Sequence, residues 1–153
     1  MNSNASFRVD LTGEAFLSSV VRGVLGASKA HIRLFDGLVP PIIRFEMEFP
    51  VPRGRIDALV IHDDGSLTAC EIKDGSRGLQ NVLSGIGQVI SYGVQLGMSR
   101  SGFPQLRKAL LFSRTSSIED DAHIAVACVN AGVIPVPLGS ETEIKKAVNQ
   151  GVC

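Results

Sequence analysis

Hydrophobic and polar side chains alternate along the middle of the chain, over residues 43–49. The apolar members are Ile43, Phe45, Met47 and Phe49, and the polar members are Arg44, Glu46 and Glu48. This period of two predicts a half-buried β-strand with its apolar face toward a core. Two apolar runs follow over residues 55–62 and 67–73, and the turn sequence Asp63-Asp64-Gly65-Ser66 between them predicts a β-hairpin.

Apolar residues recur with a helical period in two longer segments, residues 11–25 and residues 79–96. Thr12 is expected to cap the first helix at its start. The second helix is expected to bury one apolar stripe against the sheet. That stripe comprises Leu79, Val82, Leu83, Ile86 and Ile90.

The last third of the chain combines short apolar strands, over residues 109–113 and 133–138, with capped helices. Ser116 with Glu119, and Ser140 with Glu143, have the spacing of capping boxes. The complete order is α-β-β-β-α-β-α-β-α, which predicts an α/β fold with a mixed central sheet flanked by helices. At this length we expect residues 1–153 to form a single domain.

The overall composition excludes few functions but suggests a compartment. The mean hydropathy of +0.22 is on the apolar side and favours a surface for self-association. Three cysteines without metal-type spacing indicate a reducing, cytoplasmic environment. We find neither a signal peptide nor an apolar run of the ~18 residues that a membrane span needs, so no membrane partner is expected.

Positive and negative charges are equal in number, 15 of each, which is unusual for a generic nucleic-acid-binding protein. Their distribution along the chain is uneven. Residues 15–35 and residues 75–118 contain no acid. The second of these segments carries Arg77, Arg100, Arg107, Lys108 and Arg114. The pattern is compatible with a basic face beside an acidic pocket, or with ordinary solvated surface charge.

Three charged residues interrupt the apolar strands of the predicted hairpin. Asp57 lies in a strand whose other central residues are apolar. Glu71 and Lys73 lie two residues apart, so they share one face of the next strand. A buried carboxylate without a partner is costly, so these positions call for a chemical reason.

The length of the hairpin loop decides whether Asp57 and Glu71 meet, because opposed residues of antiparallel strands point to the same face. A two-residue loop at Asp64-Gly65 would place Asp57 opposite Ile72 and away from Glu71. A three-residue loop with Gly65 in the left-handed conformation, or a β-bulge, would place the two carboxylates on one face. We predict one of these two arrangements.

Two converging carboxylates suit a hard, oxygen-seeking cation such as Mg²⁺. The cation would neutralise phosphate charge and acidify bound water. Lys73 would orient the attacking water or stabilise a pentavalent phosphate. The structural alternative is a buried ion pair between Asp57 and Lys73, with Glu71 at the surface, but such pairs stabilise proteins only weakly.

These residues resemble the motifs of the PD-(D/E)XK nucleases, most closely those of the RecB-like branch. That branch has Gly-x-x-Asp on one strand, Glu-x-Lys on the next and Gln-x-x-x-Tyr on the following helix. The matching segments here are Gly54-Arg55-Ile56-Asp57, Glu71-Ile72-Lys73 and Gln88-Val89-Ile90-Ser91-Tyr92. Glu14 matches an early helical glutamate of the family. Together the motifs lie in the family order on an α-β-β-β-α-β core that covers residues 11–113.

The resemblance implies a restriction-endonuclease-like fold and a role for each matching residue. Asp57 and Glu71 would bind Mg²⁺, for which Mn²⁺ can substitute, together with the backbone carbonyl of Ile72. Glu14 would assist the metal directly or through water. Lys73 would act on the nucleophile. The iron–sulfur cysteines of some RecB-like relatives have no counterpart here.

Gln88 and Tyr92 would complete the catalytic set from the predicted helix. Helix geometry places them close together and away from the apolar stripe, on a side that is polar and uncharged. The other residues of that side are Asn81, Ser84, Ser91 and Gln95. Such a surface suits a phosphate backbone, and the alternative is a plain solvated face. Glycines at 85, 87 and 93 predict close backbone approach to the sheet, a partner or substrate.

The expected activity is hydrolysis of DNA phosphodiester bonds, with a 5′-phosphate on the product by family resemblance. The small size favours an endonuclease of DNA repair, recombination, phage or mobile-element biology. It would act as a homodimer, because two cuts need two sites, and a protein partner could supply specificity. One alternative is a catalytically silent DNA- or protein-binding module with the same fold. Another is an unrelated small-molecule-binding α/β protein, although no phosphate-binding glycine loop is present.

Overall fold

The computed structural model describes residues 13–27, 34, 35, 37–99, 105–140, 142–144 and 146. Its helices are α1 (Gly13–Gly26), α2 (Leu79–Ser99) and α3 (Ile118–Asn130), with a short 3₁₀ turn at Gly75–Arg77. Its strands are β1 (Ile42–Val51), β2 (Gly54–His62), β3 (Leu67–Lys73), β4 (Leu106–Phe112) and β5 (Ile134–Pro137). Thr12, the predicted cap of the first helix, lies outside the described residues.

The five strands form one mixed sheet in the order β1-β2-β3-β4-β5. The first three pair antiparallel, whereas β3, β4 and β5 pair parallel. The predicted α/β architecture and the α-β-β-β-α-β order are therefore confirmed. Every residue of the central strand β3 is buried, so polar side chains on it lie in a site shielded from solvent.

Helices cover both faces of this sheet, as predicted. On one face, Leu17 and Val21 of α1 pack against Ile72 of β3. On the other face, Val89 of α2 and Ile124 of α3 belong to a second apolar cluster. No helix in the described part of the chain is long and apolar enough to cross a membrane.

Two predictions about helices need correction. The most deeply buried residues of α2 are Val82, Gly85, Val89, Gly93 and Leu96. The helix is therefore rotated about its axis relative to the prediction, and the other members of the predicted stripe are only partly buried. The rotation turns Gly85 and Gly93 toward the sheet, because residues without a side chain let the helix backbone approach the strands closely. Ser117, not Ser116, caps α3 through its side chain, which accepts from the Asp120 amide. The second capping box is confirmed by reciprocal hydrogen bonds between Ser140 and Glu143.

The alternation predicted for residues 43–49 fails at both ends of β1. Ile43 is 66% exposed, because the pairing with β2 shifts register between Ile42 and Arg44. At the other end, Met47 packs on the α1 side of the sheet, whereas Phe49 packs on the α2 side.

The β1–β2 hairpin therefore bends, and both strands change face at the same level. Glu48, between Met47 and Phe49, has a φ of 52°, in the left-handed region that breaks a regular strand. On β2, Ala58 lies in the α1-side core and Ile56 in the α2-side core. The residue between them is Asp57, so the bend lies at the predicted site.

The junction after β3 is fastened by a buried aspartate. The Asp74 carboxylate accepts hydrogen bonds from the Ser76 amide and hydroxyl and from the Ser113 hydroxyl, all through Oδ1. The Gly75 amide donates to Ser113 Oγ at 2.8 Å. A Cβ on Gly75 would lie 1.9 Å from the Ser113 carbonyl oxygen, so only glycine fits beside β4.

We expect Gly75→Ala to lower the free energy of unfolding by ~2–3 kcal/mol, because the backbone at Ser113 must move to admit the methyl group. Urea unfolding followed by circular dichroism measures this change. Gly87→Ala is the matched control, since a Cβ there meets no atom within 4 Å. An exposed helical glycine replaced by alanine should raise stability by ~0.5–1 kcal/mol. Equal effects of the two substitutions would contradict the packing described here.

Candidate metal centre

Residues 63–66 lie between β2 and β3, and a hydrogen bond that pairs His62 with Ser66 leaves three of them, 63–65, as the loop. The His62 amide donates to the Ser66 carbonyl at 2.9 Å and closes the loop. Gly65 has a φ of 83°, in the left-handed region. This is the three-residue loop predicted from the need to bring the two carboxylates together.

The odd loop length places the carboxylates opposite each other. The strand pairing runs down to Ala58 opposite Cys70. Continuing this register by one residue puts Asp57 opposite Glu71, and opposed residues share a face. The ladder itself ends at Ala58, but the charge of Asp57 is, after burial, the largest cause that raises the pKa of Glu71. The prediction that the two carboxylates come together is therefore confirmed.

The Asp57 carboxylate replaces a backbone acceptor at this point of the sheet. The Ile72 amide donates to Asp57 Oδ2 at 2.7 Å. In an antiparallel ladder every second pair of opposed residues is hydrogen-bonded. His62 and Ser66 form such a pair, and the same register, continued in steps of two residues, makes Ile56 the regular hydrogen-bond partner of Ile72. The carbonyl of a strand residue lies on the same edge as its own N–H. The Ile72 carbonyl therefore also points toward β2 and Asp57.

Glu71 and Lys73 are both buried, with exposed fractions of 6% and 8%. The Lys73 ammonium lies 3.9 Å from Glu71 Oε1. The alternative of an Asp57–Lys73 pair with Glu71 at the surface does not hold, because Glu71 is buried and is itself the partner of Lys73. Within the described residues, the second oxygen of Glu71, Oε2, is buried without a hydrogen-bond partner.

Burial and mutual repulsion keep this acidic pair partly protonated. Burial, and then the charge of Asp57, raises the pKa of Glu71 to about 9. Burial also raises the pKa of Asp57, although the hydrogen bond from the Ile72 amide opposes this change. Without a cation, the pair therefore holds a proton at neutral pH. A bound divalent cation would displace that proton, because it stabilises the ionised carboxylates.

Glu14 lies in the first turn of α1 and is half-buried. Burial is the largest cause of the raised pKa of Asp57 and of Glu71, and the charge of Glu14 is a smaller cause for both. Glu14 therefore lies close enough to interact electrostatically with both carboxylates. Among the described residues, no three side chains of histidine, cysteine, aspartate or glutamate are close enough to form a complete metal site. The structure thus assembles two carboxylates, with Glu14 acting on them at longer range.

Gln88 and Tyr92 of α2 lie on the same side of the sheet as the carboxylates. The Gln88 side-chain oxygen is buried and, within the described residues, has no hydrogen-bond partner. Burial, and then the charges of Glu71 and Asp57, raises the pKa of the Tyr92 phenol. Tyr92 is therefore close to the acidic pair.

Two glycines bring α2 close to the charged strand residues, as predicted. A Cβ on Gly85 would lie 2.9 Å from Cγ of Lys73, so the lysine stem runs along a gap in the helix surface. Gly93 similarly borders Lys108 of β4, at 3.2 Å from Cδ. Gly87, in contrast, is exposed, and no atom of the described residues lies within 4 Å of its Cβ position, so the predicted close approach to the sheet is not made there.

Two residues near the site were not singled out by sequence reasoning. Asp74 is buried beside α1, where a Cβ on Gly13 would lie 3.2 Å from its Oδ2. Its Asp-Gly-Ser sequence signals a side-chain turn and could have identified it. Gln95 accepts a hydrogen bond from the Arg53 amide at 2.7 Å, and no local sequence pattern indicates this long-range contact.

The donor set fits a hard divalent cation. Mg²⁺ is commonly held by one or two carboxylates while it keeps several waters. Here Asp57 and Glu71 supply two carboxylates, and the Ile72 carbonyl points to the same side. The unpartnered Oε2 of Glu71 is a buried acceptor of the kind that a cation or a water satisfies.

No protein-family model matches the chain, and no curated protein matches it significantly. Among solved structures, it is similar to a repair endonuclease from Pyrococcus abyssi, with 17% identity and a TM-score of 0.44. That match covers 61% of this chain and 37% of the endonuclease. The EndoMS–dsDNA2 complex matches with 18% identity and a TM-score of 0.43, over 74% of this chain and 44% of that one. The chain thus spans less than half of either protein.

We expect Glu71→Gln to stabilise the metal-free protein at alkaline pH. The pKa of Glu71 is raised from 4.5 to about 9, so between these values the folded state holds a proton that the unfolded state has lost. Wild-type stability therefore falls as pH rises through this window, and glutamine removes that fall. The variant's advantage in Tm should be small near pH 4.5 and several degrees near pH 9, where ~1 kcal/mol corresponds to ~3 °C.

Thermal unfolding in EDTA across this pH range measures the difference. Glu46→Gln is the matched control, because Glu46 is an exposed carboxylate on the same sheet. Parallel stability curves for Glu71→Gln and wild type would show that Glu71 ionises normally in the folded protein.

Proposed function

We propose that the protein is a Mg²⁺-dependent deoxyribonuclease that cuts DNA phosphodiester bonds internally. The observation that carries this proposal is the acidic pair formed by half-buried Asp57 and buried Glu71, beside Lys73. Within the described residues, one carboxylate oxygen of Glu71 has no hydrogen-bond partner. A fold gains nothing in stability from two adjacent acids shielded from solvent, since each carboxylate loses hydration and repels the other. Binding a cation would account for the pair, because the positive charge offsets that of both carboxylates.

Asp57, Glu71 and the Ile72 carbonyl would hold the cation, and Glu14 would add negative charge directly or through water. When bound, the cation supplies positive charge that stabilises the negative charge developing on phosphate oxygens. The Ile72 amide holds Asp57 in place through its hydrogen bond. Because that bond favours the ionised carboxylate, it keeps Asp57 ready to bind a cation.

Lys73 would act on the reacting groups. Its ammonium lies beside Glu71, and its stem lies in the gap at Gly85. From there it would orient the attacking water or stabilise the pentavalent phosphate. Water would attack phosphorus, the bond between phosphorus and the 3′ oxygen would break, and the phosphate would stay on the 5′ oxygen. Gln88, with its unpartnered buried oxygen, would accept a hydrogen bond from that water or from a neighbouring donor.

The alternative is a catalytically silent module with the same fold that binds DNA or a protein. One observation favours it: within the described residues, no third acidic or histidine side chain completes the site. The small-molecule-binding alternative has lost its main support, which would have been Asp57 and Glu71 on opposite faces. Action as a homodimer, a specificity partner, a role in repair or mobile elements and a cytoplasmic location all stay predictions.

Cleavage of supercoiled plasmid, linear duplex and a four-way junction in Mg²⁺ or Mn²⁺ tests the proposal. We expect metal-dependent cutting, and a loss of rate of about 10²-fold or more in Asp57→Asn and in Lys73→Met. Glu46→Gln and Lys146→Met are matched controls at exposed positions and should cut normally.

Calorimetric titration with Mn²⁺ separates the two candidate functions. The nuclease requires binding that Asp57→Asn weakens by about tenfold or more, as expected when a metal ligand is lost. A folded wild type that neither binds Mn²⁺ nor cuts any of the three substrates would instead support the silent module.

A further inference from the structure

The bend in the β1–β2 hairpin separates Asp57 from β3, although the pairing of β2 with β1 continues on both sides of this residue. On its sheet side, strand pairing between β2 and β3 ends at Ala58 and Cys70. On its other side, the chain continues into the hairpin tip, the segment of residues 49–56, whose apolar residues pack toward α2. Asp57 therefore lies at the junction between two parts of the structure that are held by different contacts.

The hairpin tip is fastened to α2 at its turn. The Arg53 amide donates to the Gln95 side-chain oxygen at 2.7 Å. The Gln95 side-chain nitrogen donates in turn to Ser91 Oγ at 3.3 Å, which fixes the orientation of the amide. Next to this bond, a Cβ on Gly54 would lie 2.9 Å from Cε1 of Tyr92, so the turn rests directly on the tyrosine ring.

These contacts lie close to Asp57 along the chain. Gly54 is only three residues from Asp57, and its φ of 133° excludes other residues from this turn. The regular ladder bond that Ile72 would make to Ile56 is replaced by the bond to Asp57 Oδ2. With the β2–β3 ladder interrupted there, Asp57 is held by the pairing of β2 with β1 and by this one bond to β3. A displacement of the hairpin tip would therefore carry the carboxylate with it.

We propose that Gln95 is a positioning residue: by holding the Arg53 amide, it docks the hairpin tip on α2 and thereby sets the position of Asp57 beside Glu71. Gln95 acts through the turn and touches neither the carboxylates nor a reacting group. The effect of Gln95 on catalysis rests on the proposed metal-dependent function, whereas its docking of the hairpin tip does not.

Three substitutions test the role of Gln95. Gln95→Ala removes the acceptor, Gln95→Glu keeps an acceptor oxygen at the same reach, and Gln80→Ala is a control at an exposed position of the same helix. We expect Gln95→Ala to weaken Mn²⁺ binding by about threefold to tenfold, the size seen for residues that orient metal ligands. It should lower kcat similarly and leave KM for DNA unchanged. Gln95→Glu should restore most of the loss, and Gln80→Ala should behave as wild type.

Amide hydrogen exchange tests the positioning role of Gln95 without metal or substrate. In Gln95→Ala, exchange should quicken at Arg53, which loses its acceptor, and also at Ile72, whose amide reports the position of Asp57. Faster exchange at Arg53 with no change at Ile72 would overturn the proposal, because the tip would then move without Asp57. Unchanged Mn²⁺ affinity in Gln95→Ala, or a loss that Gln95→Glu does not recover, would also overturn it.

The two proposals fail in different ways. If wild type binds no Mn²⁺ and cuts no DNA, the nuclease proposal fails, while the Ile72 amide still decides whether Gln95 positions Asp57. If wild type binds Mn²⁺ and Gln95→Ala leaves both affinity and Ile72 exchange unchanged, only the positioning role fails.

Discussion

The hydrogen bond from the Ile72 amide to the Asp57 carboxylate is the interaction on which the site depends. A buried amide needs an acceptor, and at this point of the sheet a side chain supplies it in place of the neighbouring strand. This replacement of a backbone acceptor by a side chain ends the β2–β3 ladder and turns the Asp57 carboxylate toward Glu71. One bond therefore satisfies the backbone and, at the same time, brings two negative charges together.

The cost of that arrangement is visible in the protonation of the pair. Burial and repulsion raise the pKa of Glu71 to about 9, and the nearby Lys73 ammonium offsets this only in part. Groups that break the usual rules of packing and hydrogen bonding in a native protein are expected at functional sites. Here the unpartnered Oε2 of Glu71 and side-chain oxygen of Gln88 lie among the residues proposed to bind metal and orient the nucleophile.

Helix α2 connects the site to the rest of the fold. Its glycine-rich buried face lets the backbone approach β3 closely enough for the Lys73 stem to lie in the gap at Gly85. Its polar face meets the hairpin tip through Tyr92 and Gln95. One face thus shapes the space around the lysine, and the other restrains the strand that carries Asp57.

Local pattern was sufficient for the order of the elements from α1 to β5 and for the bounds of β3, because strand period and turn residues are set by neighbours in sequence. The length of the β2–β3 loop was not fixed in this way. A three-residue loop was one of two arrangements predicted from the chemical need to bring Asp57 and Glu71 together. The bend at Glu48, the exposure of Ile43 and the rotation of α2 could not be read in this way. They arise from packing between segments distant in sequence, as does the bond between Arg53 and Gln95, 42 residues apart. The sequence by itself therefore determined which residues are the candidates for the chemistry, because residue type and spacing identify them, whereas tertiary contacts alone decided what holds them in place.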